Sequence, residues 1–448
     1  LVKQLSSGIS NILYILDEPT TGLHPKDTLK LLNLIKKLRD MGNTVLVVEH
    51  GIQVMLAADK IIDIGPSAGE AGGYITAQGT PEELMQNDAS ETGAYLSGKK
   101  LVSIPGRNPA LEEDIWVCLE EVNANNLKNI SISFPVHAIT CITGVSGSGK
   151  STLVDHGILP GIQNVLDGKN VTHTSYGSVK GAGHFDKIIH ITQKPIGRSS
   201  RSTPATYTGI MDEIRLLFAR TDAAREKHFK QSHFSFNSKD GQCPVCHGYG
   251  YQSLDTQFMP SATVECPVCK GQKFQDQTLT VSYNGKNIAE VMDMSITEAL
   301  PFFSGNQKLS GILQTLDDIG LGYLKLGQNS QTLSGGEAQR IKLATELSIN
   351  PSNRALYLLD EPTTGLHFSD IQNLLIMLDK IVQNNNTVIL IEHNLQVIKN
   401  ADWIIDLGPE GGTNGGYVVC QGTPEDVCRC GESYTGEMLK SVFHKDML

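Results

Sequence analysis

Apolar residues in this chain fall into short unbroken runs, each closed by a polar cluster. Ile12, Leu13, Tyr14, Ile15 and Leu16 form one run, and Leu356, Tyr357, Leu358 and Leu359 form another. Short apolar runs bounded by turn-formers read as buried strands. Each is followed by apolar positions at helical spacing: Leu29, Leu32, Ile35 and Leu38 in the first case, Leu374, Leu378 and Ile381 in the second. Side chains three and four residues apart share a helix face, so amphipathic helices are predicted there. A second apolar run then ends in Glu-His at Glu49-His50 and at Glu392-His393. Strand, helix, strand in succession predicts an α/β fold with a parallel sheet and ligands at the carboxyl ends of its strands.

The two patterns are copies of each other. Residues 11–24 read NILYILDEPTTGLH and residues 354–367 read RALYLLDEPTTGLH, an offset of 343. The same offset carries Ala58-Asp59 onto Ala401-Asp402 and residues 78–82 (QGTPE) onto residues 421–425. A repeat of this length is a duplicated domain, not a solenoid period. The second copy is preceded by residues 144–152, GVSGSGKST, after the apolar run at 138–143. That spacing, G-x-x-x-x-G-K-S-T, predicts a strand, a tight glycine loop and a helix N-terminus. Loop N–H groups and the helix dipole then face phosphate, from Gly144, Ser146, Gly147, Gly149 and Thr152. Lys150 reaches the β- and γ-phosphates of ATP, and the Ser151 hydroxyl holds Mg2+. The first copy's glycine loop is expected before Leu1; the chain begins there without Met, inside what reads as a helix.

Other residues follow in an order that leaves little room for chance. Asp360 ends a strand and suits Mg2+; Glu361 beside it suits polarising the attacking water. His393 ends the next strand and suits contact with the γ-phosphate or the water, and Gln193, after the apolar run at 188–191, suits sensing the metal and the water. Asp17, Glu18 and His50 are the first-copy counterparts. Residues 333–337, LSGGE, precede a helix, so Ser334, Gly335 and Gly336 form a second phosphate cradle. Glycine loop, Gln, LSGGE, LLDE and His together identify ABC-type ATPases. In that arrangement one domain's cradle completes a facing domain's site.

Composition adds boundaries. The 448 residues allow about two to four domains. Residues 1–97 read as the end of a first ABC domain and 98–112, rich in Gly, Pro and charge, as a linker. Residues 113–200 and 326–448 read as a second ABC domain interrupted by an insertion at 201–325. No run of 18 apolar residues and no signal peptide is present. Of nine cysteines, four form Cys243-Pro-Val-Cys246 and Cys266-Pro-Val-Cys269. Two such pairs at this separation predict a closed structural Zn2+ site, with His247 a bystander. Without a disulfide framework, a reducing cytoplasmic location is expected. Net charge is −11, so nucleic-acid binding requires a local basic patch. Between residues 187 and 230 lie nine Lys/Arg and four Asp/Glu, with Arg198, Arg201, Arg215 and Arg220 prominent. Phosphate-backbone binding and a solvated helix face both fit that patch.

The motifs carry a closer resemblance. Residues 125–130 (NNLKNI), 194–209 (KPIGRSSRSTPATYTG), the paired CPVC module, 321–340 (LGYLKLGQNSQTLSGGEAQR) and 391–412 resemble the UvrA family of tandem ABC ATPases. The chain resembles roughly the second half of such a protein. The resemblance implies a homodimeric ATPase of nucleotide excision repair, with a place in DNA excision and the SOS response. It would bind double-stranded DNA with lesions and load UvrB, its zinc module serving damage sensing. Gly51, Asn394 and Lys194 depart from the usual residues. Two alternatives remain: a UvrA-like antibiotic self-resistance ATPase, and a zinc-bearing DNA-binding module with ATP as a structural switch.

Overall fold

The computed structural model describes residues 10–66, 69, 72–104, 115–169, 175–197, 199, 201–254, 262–349 and 353–446. These pack as two compact units, one holding the described residues up to Gln193 and again from 353, the other those from Lys194 to 349.

The first unit is built on a six-stranded sheet. Its strands run in the order Tyr417–Gly422, Trp403–Gly408, Ile139–Gly144, Thr387–Ile391, Ala355–Asp360 and Lys187–Ile191. All neighbours are parallel except the edge strand Tyr417–Gly422, which is antiparallel to Trp403–Gly408. The sheet is therefore mixed, not purely parallel as the strand-helix alternation predicts. Ile139–Gly144 and Thr387–Ile391 are buried at every position. Such strands are covered on both faces, which is why their sequences are unbroken apolar runs and do not alternate. The helix Phe368–Gln383 buries Leu374, Leu378 and Ile381, as their spacing predicts, together with Phe368, Ile371, Leu375 and Met377.

The first copy reproduces part of this sheet. Leu13–Asp17 pairs in parallel with Thr44–Val48, Leu13 opposite Thr44; its counterpart pairs Leu356 opposite Thr387. Ile61–Gly65 pairs antiparallel with Tyr74–Gly79. Among the described residues no strand joins these two pairs, whereas Ile139–Gly144 joins their counterparts. Leu13, Ile15, Ile64 and Ile75 are 60–68% exposed as a result. In the helix Pro25–Asp40, Leu32, Ile35 and Leu38 are buried, while Leu29 lies on the exposed flank of the predicted face.

The repeat also runs further than residues 82 and 425. Ser90, Thr92 and Gly93 correspond to Ser433, Thr435 and Gly436. Both serines cap a helix, donated to by Gly93 N and Gly436 N respectively.

In the second unit the helices Ile210–Ala219, Ile296–Phe302 and Gly335–Ile349 each pack on Gln307–Leu316, and Phe218, Phe234 and Phe303 are buried. The helix that follows LSGGE packs on Gln307–Leu316, so it sits in this unit and not with the six-stranded sheet. Among the described residues no helix is long and apolar enough to cross a membrane.

Candidate active site

The strand Ile139–Gly144 delivers the chain into the glycine loop. Gly144, Gly147 and Gly149 are left-handed, with φ of 132°, 76° and 111°. At Gly144 a Cβ would lie 2.0 Å from the Leu407 carbonyl oxygen, so only glycine fits the turn. Lys150 begins the helix and folds back, donating to the carbonyls of Gly144 and Val145 at 3.0 Å each. Burial lowers its pKa to about 8, opposed by the charges of Glu361, Asp406, Asp27 and Asp360. An anion placed over the loop would restore the full cation.

Ser151, Asp155, His190 and Asp360 line one small cleft beside the loop. Burial pushes the Asp360 carboxyl up, and Glu361 and Asp155 push it further. Crowded carboxylates next to a hydroxyl fit a divalent cation, whose charge relieves their repulsion. A carboxyl raised in the folded state stabilises only while protonated. That contribution is present below the usual carboxylate range and is lost as pH rises through the raised value. Asp360→Asn is therefore expected to melt higher than the parent chain at about pH 8, with the gap closing toward about pH 4. It is expected to lose Mg2+-dependent nucleotide affinity at the same time. Thermal melts across that range check it; a variant that melts lower at the alkaline end contradicts it.

Glu361 follows Asp360 with φ of 47°, and its counterpart Glu18 has φ of 40°. Left-handed glutamate is costly, and the same strain at both strand ends marks a shared loop geometry. Glu361 N donates to Ile391 O at 2.9 Å, and Glu18 N to Val48 O at 2.9 Å. Gln193 Nε2 donates to the Glu361 carbonyl at 3.3 Å and to Thr364 Oγ1 at 3.2 Å, so it braces this turn. His393 Nε2 lies 3.5 Å from Glu361 Oε1. That hydrogen bond, against the effect of burial, holds Glu361 below its ordinary pKa. Burial lowers His393, so the pair is a carboxylate beside a neutral imidazole. Such a carboxylate can take a proton from water. His393 Nδ1 is buried and, among the described residues, has no hydrogen-bond partner.

Sequence reasoning missed three features here. Glu392, fully buried, accepts from Thr363 N at 3.1 Å, Thr363 Oγ1 at 2.6 Å, His393 N at 2.8 Å and Asn394 N at 3.0 Å. Glu49 does the same for Thr20, His50 and Gly51. These staples hold each Asp-Glu loop against each Glu-His loop. The second feature is contact between the copies. Asp27 Oδ2 lies 3.4 Å from Ser146 N in the glycine loop. A Cβ on Gly22 (φ 68°) would be 3.2 Å from Glu361 Oε2, and one on Gly365 (φ 68°) 3.0 Å from Glu18 Oε1. Glu18, His50, Glu361 and His393 line a common cavity of about 930 Å3. The third is His24, 6.1 Å from the His393 ring centroid and edge-on to it. The constant offset of the repeat was the signal available for all three.

In the second unit Ser334 and Glu337 cap each other: Ser334 N donates to Glu337 Oε2 at 2.7 Å, and Glu337 N to Ser334 Oγ at 3.2 Å. This opens the helix Gly335–Ile349 with the amides of Gly335 and Gly336 in its first turn. The sulfurs of Cys243, Cys246, Cys266 and Cys269 all lie within 4.8 Å of one another, Cys243 to Cys266 at 3.9 Å and Cys246 to Cys269 at 3.5 Å. Tetrahedral Zn–S bonds of about 2.3 Å place sulfurs about 3.8 Å apart, so the cluster fits a zinc ion. Left-handed His247, Gly248 and Gly250 turn one knuckle; Lys270, Gly271 and Lys273 turn the other.

Two of the basic residues are held locally. Arg201 donates to the His247 carbonyl at 3.4 Å and its guanidinium lies 5.0 Å from the Tyr249 ring centroid. Arg215 pairs with Asp212 on its own helix, and Arg220 is exposed at that helix's C-cap. Arg198 lies outside the described residues.

A glycine loop, a strand-end Asp-Glu pair and a following histidine on this sheet define an ABC-type ATPase domain. A sequence profile of the ABC transporter family matches residues 249–364. The chain is UvrA-like throughout: it is 49% identical over 446 residues to UvrABC system protein A of Haemophilus influenzae, covering 99% of this chain and 47% of that protein. Against UvrABC system protein A of Bacillus subtilis it is 49% identical over 448 residues, covering 100% of this chain and 46% of that protein. The crystal structure of UvrA2 from Deinococcus radiodurans matches with a TM-score of 0.91 and 42% identity, over 98% of this chain and 53% of that one. The chain thus spans about half the length of the curated relatives it matches.

Proposed function

We propose that this chain forms the ATP-binding part of a DNA-damage-recognition ATPase of nucleotide excision repair. The observation that carries the reading is the Lys150 loop, with Glu361 and His393 3.5 Å apart at the neighbouring strand ends. Lys150 and the loop amides from Gly144 to Thr152 hold the β- and γ-phosphates of ATP. Ser151 and Asp360 would hold Mg2+, which when bound neutralises charge between the phosphoryl oxygens. Glu361 takes the proton of the attacking water; His393 and Gln193 keep its loop in place. Asp17, Glu18 and His50 play the matching roles at a second site, and Ser334, Gly335 and Gly336 cradle a phosphate from a facing domain.

Hydrolysis then regulates binding of lesion-containing duplex DNA and the loading of UvrB, in a cytoplasmic homodimer. A zinc ion on the four cysteines stiffens the segment that meets DNA, and Arg198, Arg201, Arg215 and Arg220 contact phosphates. Support for this part comes from the likeness to UvrABC system proteins along the whole chain.

The composite character sets the test. This chain alone is expected to bind ATP yet turn it over poorly, because a cradle must come from a facing domain. Equilibrium binding and steady-state ATPase assays on the chain check this. Robust turnover abolished by Glu361→Gln would show that no outside cradle is needed.

A further inference from the structure

His24 and His367 occupy equivalent positions in the two copies, and each reaches into the other copy. His24 caps the helix Pro25–Asp40, its Nδ1 accepting from Lys26 N at 3.2 Å. Its Nε2 lies 3.2 Å from Thr435 Oγ1. Thr435 Oγ1 donates to Asp406 Oδ1 at 2.8 Å, and the same oxygen accepts from Thr143 Oγ1 at 2.8 Å. Ser433 Oγ donates to the other oxygen, Asp406 Oδ2, at 2.6 Å. Thr143 is the residue before Gly144, where the glycine loop begins.

The second set repeats the histidine, threonine, serine and aspartate of the first; Thr143 has no counterpart in it. His367 Nδ1 accepts from Ser369 N at 3.4 Å, and its Nε2 lies 3.2 Å from Thr92 Oγ1. Thr92 Oγ1 donates to Asp63 Oδ1 at 2.7 Å, and Ser90 Oγ to Asp63 Oδ2 at 2.6 Å. Every member of the second set is 343 residues from its counterpart in the first. Both copies of the duplicated domain have thus kept one arrangement.

The network fixes the direction of each bond. Thr435 has a single hydroxyl proton, and Asp406 takes it, so Thr435 can only accept from His24. The Nδ1 of His24 is already an acceptor, so the proton of the neutral ring sits on Nε2. Burial and the neighbouring His393 and Lys150 hold the His24 pKa down to about 3, which keeps the ring neutral. A buried donor with one acceptor has no alternative partner, and this gives the contact its register.

We propose that His24 is a positioning residue of the ATP site: through Thr435 and Asp406 it sets copy one's helix against the strand that feeds the glycine loop. His367, through Thr92 and Asp63, makes the equivalent contact from copy two's helix to copy one's strand Ile61–Gly65. The inference rests on the ATP-site reading above. Misplacement of reacting groups by about 1 Å can cost roughly 100-fold in rate. Loss of this register is therefore expected to act on turnover and not on ATP affinity.

Two arms test it. Long-range proton–nitrogen NMR of His24 in the chain, without nucleotide, is expected to show the Nε2–H tautomer. An Nδ1–H tautomer overturns the relay whatever the fate of the ATP reading. In the full-length gene product carrying Glu18→Gln, which isolates the site of Lys150, His24→Ala is expected to lower kcat about 10- to 100-fold at unchanged ATP affinity. His24→Gln, whose amide nitrogen can donate near the Nε2 position, is expected to restore most of it. Adding Thr435→Val to His24→Ala is expected to cost nothing further. A kcat within about twofold of the parent for His24→Ala overturns the proposal, as does a loss that Gln does not rescue. Glu361→Gln is run beside them: if it leaves turnover intact, the ATP-site reading has failed, and the tautomer arm alone decides the relay.

Discussion

With Glu18→Gln already in place in the full-length gene product, Glu361→Gln is expected to lower the remaining ATP turnover by about 100- to 10,000-fold while ATP still binds. The substitution keeps size and shape, so the backbone bond from residue 361 N to Ile391 O and the brace from Gln193 persist. What disappears is the anion. Glu361 is held below its ordinary pKa by His393, so it is ionised at neutral pH and ready to take a proton. An amide cannot. The phosphate-binding groups lie on other elements, at the loop and at Lys150, so affinity should survive. Measured kcat and ATP affinity separate the two effects. Equal loss of both would place Glu361 in binding and not in chemistry.

The second large effect concerns the four cysteines. Structural zinc contributes about 10–16 kcal/mol in isolated zinc-finger peptides at neutral pH, as much as the whole stability of a typical domain at about 5–15 kcal/mol. Among the described residues the knuckles are joined by the two-stranded hairpin Tyr251–Leu254 and Ala262–Glu265, and a hairpin that small is marginal alone. Elemental analysis of the purified chain is expected to give one zinc per chain. Removing it, or making Cys266→Ser with Cys269→Ser, is expected to abolish hydrogen-exchange protection at residues 243–254 and 262–274. ATP binding at Lys150 should be retained, because that site stands on the other unit's sheet. A chain without zinc, or protection unchanged after chelation, rules out a metal-held module.

Much of the site could be read from the sequence because its chemistry is local. The glycine loop, the Asp-Glu pair and the cysteine knuckles each depend on spacing over a few residues, and spacing survives without coordinates. The antiparallel edge strand Tyr417–Gly422 was not legible, since an apolar run does not say which way its neighbour points. Contacts between copies were harder still. His24 and Thr435 are 411 residues apart, and no periodicity links them. The duplication contained the clue, because Thr92 and Thr435 keep the offset of the repeat beyond the point where the motifs end. Exposed Leu13 and Ile15 show the reverse case. Their apolar run predicts a buried strand, but burial depends on neighbouring strands that the run itself does not specify.

The central claim is that phosphate binds at the loop of residues 144–152 through Lys150. Equilibrium binding of ATP with Mg2+ to this chain and to Lys150→Ala tests it most directly. Two charge-assisted hydrogen bonds to phosphate, at roughly 1.5–3 kcal/mol each, correspond to at least about 100-fold in affinity. A loss of that size with the fold intact is the expected result, and unchanged affinity in the folded variant would contradict the account.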